Sequence, residues 1–134
     1  MSRLYLKILG QLMGNALVRQ AYEEALCYGE TILKLDPLRE EVHRALMLCH
    51  VNLGSFSEAA RQFHLCAQIL WEELHILPLP ETVALFDRLL VDRYRAHSKL
   101  QKQAPEQETL RQTYLQYQEA SARLSQLIEQ PGAR

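Results

Sequence analysis

Residues 35–47 read LDPLREEVHRALM. A helical pattern stops at Asp36-Pro37, and a second one, crowded with charge, resumes at once. Asp accepts hydrogen bonds from the unpaired amides of a helix's first turn, and Pro at the first helical position gives up an amide that has no partner there. The stretch therefore reads as a joint between two helices, with Asp36 capping a helix that begins at Pro37. Glu40 and Glu41 then sit near the positive end of that helix, where a carboxylate contributes roughly 0.5 kcal/mol.

On both sides of the joint the apolar residues recur at intervals of three and four, and no stretch shows sustained alternation with β-branched enrichment. The spacing predicts six helices, near 3–17, 20–34, 37–53, 56–74, 80–97 and 106–129. Gly54-Ser55 supports the third joint, because Gly takes up the left-handed conformation that ends one helix while Ser55 begins the next. Ser55 and Glu58 form an S-x-x-E capping box at the start of a helix whose apolar face carries Phe56, Ala59, Ala60, Phe63, Cys66, Ala67 and Leu70. Helices joined so tightly are antiparallel neighbours.

Shifting the chain by 34 residues places Leu12-Met13 on Leu46-Met47, Tyr22 on Phe56 and Glu24-Ala25 on Glu58-Ala59. A period of this length with two helices per unit is that of tetratricopeptide (TPR) repeats, in which one hairpin cannot bury its apolar face until it stacks on the next. The expected fold is all-α: a TPR-like stack of antiparallel hairpins comprising two repeats, a capping helix and a C-terminal helix. Asp36-Pro37 is the point where one hairpin hands over to the next, and Ala25 and Ala59 mark the closest approach of the paired helices. The 34-residue register is lost beyond Ala59, and the helix after Pro78 and Pro80, with Val83, Phe86, Leu89 and Leu90 on one side, is expected to cap the stack. In such a stack the first helix of each hairpin lines the concave face. That places Lys7 and Gln11 of the first unit and Glu41, Arg44, Leu48 and Asn52 of the second on a surface able to meet a partner.

Hydrophobic residues make up 48% of the 134 positions, enough for a packed core in one domain. A net charge of −1 supplies no long-range field toward phosphate backbones or anionic lipid, which disfavours nucleic-acid binding by the chain itself. The apolar runs are far shorter than the roughly 20 residues that span a bilayer, and no membrane association and a cytoplasmic location are expected. Cys27, Cys49 and Cys66 have no CxxC spacing, so they read as buried free thiols rather than a disulfide framework. The pairs Cys49-His50 and His64-x-Cys66 combine zinc-type ligands, but Cys49 and Cys66 fall on apolar faces and neighbouring helical residues diverge by about 100°. No metal or other cofactor is expected. No G-x-S-x-G, P-loop or dinucleotide motif is present, and the short loops offer no cleft for nucleophilic catalysis. The chain is therefore not read as an enzyme. The basic residues of RLLVDRYRAHSKLQK (88–102), Lys102 among them, are diluted by Asp87 and Asp92 and read as a solvated helix face.

In the tail, Leu110, Tyr114, Tyr117, Ser121, Leu124 and Ile128 alternate at four and three, the seam of a helix that packs along one other element. Pro105 with Glu106 and Glu108 marks its start. The seam is expected to pack on the helical stack, with pairing to a second copy in a homodimer as the alternative. The domain organisation expected is a TPR-like domain over 1–97, then a linker and C-terminal amphipathic helix over 98–134.

Several local strings go beyond generic TPR similarity: YEEAL at 22–26, LDPLREE at 35–41, HRALM at 43–47, LG at 53–54, and EEL followed by P-x-P-E-T and Leu within 72–85. Spanning roughly residues 5–90, they resemble the bacterial transcriptional activator domain of SARP-type antibiotic-regulatory activators. His75 stands where that family has Gly in a leucine-glycine-valine turn, and the likeness stops near residue 95. The resemblance implies a regulatory module that acts by protein contacts such as oligomerisation, signal coupling or contact with the transcription machinery. Its partners would be its own DNA-binding domain, RNA polymerase or a second copy, and it would meet DNA only through a winged-helix domain. No winged-helix segment lies in these 134 residues, so the chain reads as a fragment of a longer regulator or as a stand-alone relative. The alternative is a stand-alone TPR adaptor that binds a peptide or helix of a partner protein.

Overall fold

The computed structural model describes residues 3–101 and 107–129. Helical periodicity is realised as α1 (Arg3–Val18), α2 (Tyr22–Leu35), α3 (Glu40–Asn52), α4 (Phe56–Leu74), α5 (Pro80–Gln101) and α6 (Gln107–Glu129). Among the described residues every regular element is a helix, and none is long and apolar enough to cross a membrane. The chain divides into two compact units, Met1–Val91 and Asp92–Arg134. The first holds α1 to α4 and the N-terminal part of α5; the second includes α6.

Within the first unit α1 packs on α2, α3 on α4, and α2 on α3, the order of two stacked hairpins. The 34-residue correspondence extends to individual backbone hydrogen bonds at the hairpin turns. Ala21 N donates to Ala16 O at 2.8 Å, and Ser55 N donates to His50 O at 2.8 Å. One residue earlier, Gln20 N bonds Leu17 O and Gly54 N bonds Val51 O, both at 3.0 Å. Each turn is thus a Schellman motif, which requires a left-handed residue at its fifth position. Gly54 fills that position with φ 82° and Gln20 fills its counterpart with φ 59°. Gln carries the Cβ penalty that Gly avoids. Gln20→Gly should therefore raise the unfolding free energy by about 0.5–1 kcal/mol. A urea titration reads this directly, and a lower midpoint would contradict the assigned turn.

The interfaces between hairpins repeat as well. Val42, Leu46 and Cys49 of α3 join Leu9, Met13, Ala16, Ala25 and Ile32 in one buried cluster. Burying a side chain such as Ile32 or Leu46 contributes roughly 1.5–3 kcal/mol. A second cluster joins Met47 and Ala59 to Leu85 and Leu89 of α5, with Val51, Phe56, Phe63 and Phe86 packed around it. Thr82, Leu85, Phe86 and Leu89 of α5 have the spacing of Val42, Ala45, Leu46 and Cys49 of α3. α5 therefore lies on the second hairpin as α3 lies on the first, displaced by 40 residues rather than 34. Part of the extra length is in α4, which has 19 residues against 14 in α2. Equivalent contacts change in size: Leu46 lies against Gly29, whereas in the next interface Phe63 stacks on Phe86 with centroids 4.3 Å apart. Ala25 and Ala59, at the expected points of closest approach, are completely buried.

Two local expectations are corrected. Asp36 does not cap α3. It closes α2, with its amide donating to Ile32 O, and its carboxylate accepts from Arg39 Nε at 2.8 Å. Pro37 lies in a turn and α3 begins at Glu40. A residue before proline is pushed into extended backbone, and Asp36 has φ −147° and ψ 84°. The chain needs three further residues to turn into the next helix. The capping box at Ser55 is also not made. Its reciprocal bond needs the Ser55 amide, which is already committed to His50 O in the Schellman turn, and Glu58 instead pairs with Arg61 at 3.2 Å.

Candidate functional site

α3 presents chemistry on more than one side. Toward α5 it carries Glu40, which is only 8% exposed. One carboxylate oxygen, Oε2, accepts from the Leu79 amide at 2.9 Å and from Thr82 Oγ1 at 2.7 Å. Leu79 N is one of the amides that a helix start leaves unpaired, so a carboxylate from a different helix performs the task of an N-cap. Arg44, one turn along α3, donates from Nη1 to Thr82 Oγ1 at 2.8 Å, and its Nη2 lies 3.9 Å from Glu81. The fully buried Thr82 hydroxyl thus donates to Glu40 and accepts from Arg44. These bonds pin the first turn of α5 to α3, and the apolar contacts of Leu85, Phe86 and Leu89 continue the attachment. Among the described residues no buried side-chain nitrogen or oxygen is left without a hydrogen-bond partner.

His43 pins the preceding joint. Gln62 Nε2 points at its Nδ1 at 2.7 Å, and its Nε2 lies 2.9 Å from Pro37 O. With Gln62 donating, Nδ1 accepts and Nε2–H donates to the carbonyl, so the neutral ring satisfies both neighbours. Burial lowers the His43 pKa below its ordinary 6.5, opposed by the Pro37 bond and by Glu40 and Glu41. Because the folded pKa is depressed, the unfolded chain binds the additional proton more readily. Stability should be complete above about pH 6.5 and fall as the pH drops from there toward the lower folded value. Urea midpoints measured between pH 7.5 and 5.5 should show this fall, and the slope should shrink in His43→Gln. Equal slopes in the two proteins would remove His43 as its source.

Lys7 and Gln11 on α1 and Glu41 and Asn52 on α3 are exposed, and Leu48 is 38% exposed. Asn52 Nδ2 donates to Leu48 O at 2.8 Å, which orients its amide. Arg44 instead directs its guanidinium to the start of α5. The residues at this attachment that sequence reasoning missed are Glu40, read only as a helix-end charge, and its partner Thr82.

Both buried cysteines are held as thiols. Burial raises the Cys49 pKa, and it pushes Cys66 up to about 11, where nearby Glu40 adds to the rise and Arg44 opposes it. Burial thus favours the neutral thiol over the thiolate at both positions. Cys27, expected to be buried as well, is exposed. Among the described residues no group of three or more His, Cys, Asp or Glu is placed to hold a metal ion.

In the second unit, Leu110, Tyr114, Tyr117, Leu124 and Ile128 all fall on α6. Tyr114 and Tyr117 are exposed, and Gln118 Nε2 donates to Tyr114 OH at 3.1 Å. The side chains of Leu110, Leu124 and Ile128 lie outside the described residues, as do Lys102, Pro105, Glu106 and the side chain of Glu108.

Searches against curated proteins and against solved structures returned no match. The profile of the bacterial transcriptional activator domain matches residues 1–90. That span takes in both hairpins, the Glu40 attachment of α5 and the strings that carry the SARP-type resemblance. The chain therefore belongs to the bacterial transcriptional activator domain family.

Proposed function

We propose that the chain is the regulatory protein-interaction module of a bacterial transcriptional activator, working in the cytoplasm through protein contacts and without catalysis. The observation that carries this reading is the surface of α3. Leu48, an apolar residue, stands exposed beside Glu41 and Asn52, on a helix whose other residues Val42, His43, Leu46, Met47 and Cys49 are buried. A side chain offered from so firmly packed a helix loses little freedom on binding. Lys7 and Gln11 extend the same side onto α1, while Arg44 contributes by holding α5. The module meets RNA polymerase, its own DNA-binding domain or a second copy, and reaches DNA only through a winged-helix domain.

Transcription from a reporter, driven by the activator that carries this domain, tests the reading. Leu48→Glu should lower activation roughly tenfold, as expected when one central contact of about 1.4 kcal/mol is lost, with the circular dichroism spectrum and DNA affinity unchanged. Full activation by that variant would contradict the reading. If partner binding is lost while transcription is unaffected, the chain is instead a stand-alone adaptor for a peptide or helix. For α6, the proposal is that its seam packs on the helical stack. Removal of residues 106–134 should then lower the unfolding midpoint and leave the sedimentation coefficient that of a monomer. Conversion of a dimer to a monomer would assign the seam to homodimerisation.

A further inference from the structure

We draw no further inference here: the strongest candidate, the exposed apolar face that Tyr5, Ile8 and Leu12 form on α1, carries none because nothing in the structure shows what covers it.

Discussion

Gly29→Leu should destabilise the domain by roughly 3 kcal/mol, the upper part of the usual range for overpacking a closed core. The effect should appear as a large drop in the urea midpoint with little change in slope. A Cβ at this position meets Leu46 Cδ2 at 2.5 Å, Leu46 Cγ at 3.2 Å and Met13 Sδ at 3.2 Å, and Leu46 itself is buried with no open side toward which to turn. A leucine adds three further carbons to that clash. Gly29→Ala is the instructive control. Its Cβ still meets Leu46 and Met13 Sδ, but alanine is favoured over glycine in a helix interior by about 1 kcal/mol, so the loss should be well below that of Gly29→Leu. In the double variant Gly29→Leu with Leu46→Ala, much of the loss should return, because the new side chain occupies space the old one vacates. Additive losses would mean that α2 and α3 do not meet at this pair.

Glu40→Ala should destabilise by about 3 kcal/mol, since two bonds to a charged acceptor disappear together and the Leu79 amide and Thr82 hydroxyl lose their acceptor. Glu40→Gln retains one acceptor oxygen without the charge and should cost about 1 kcal/mol. Thr82→Val removes the hydroxyl that links Glu40 to Arg44 and should be intermediate. Combined with Glu40→Ala it should add little, because both changes break the same attachment. Chemical denaturation of the four proteins measures these differences. If Glu40→Ala unfolds at the same midpoint as the parent chain, the carboxylate is not what secures α5.

What could be read from the sequence was whatever repeats. Helix spacing, the 34-residue correspondence and the small residues at 25 and 59 are patterns carried by side-chain type, and they specify two hairpins and their order. Gln20 escaped that reading because a left-handed residue other than Gly has no compositional mark. Only its alignment with Gly54 could have exposed it. The Asp36 and Ser55 caps were misread because local capping rules count acceptors without asking whether the amide is already bonded; the Ser55 amide is, to His50. Glu40 and Thr82 lie far apart in sequence, and nothing local distinguishes a helix-end carboxylate from one that caps another helix. The 40-residue correspondence between ETVALFDRLL and EVHRALMLC was available, but the longer α4 displaced it from the 34-residue register. Among the groove residues, Arg44 has the correct helical position for a partner surface, and a hydroxyl on α5 takes its guanidinium.

Hydrogen exchange of the full chain, followed residue by residue, tests most directly whether two related hairpins and α5 form one continuous stack. The turn amides of Ala21 and Ser55 should be protected to similar degrees, and those of Leu79, Thr82 and Val83 should open together with the buried amides of α3 as one cooperative unit. Separate opening of the α1–α2 and α3–α4 hairpins, or free exchange at Leu79 and Thr82 while α3 remains protected, would contradict it.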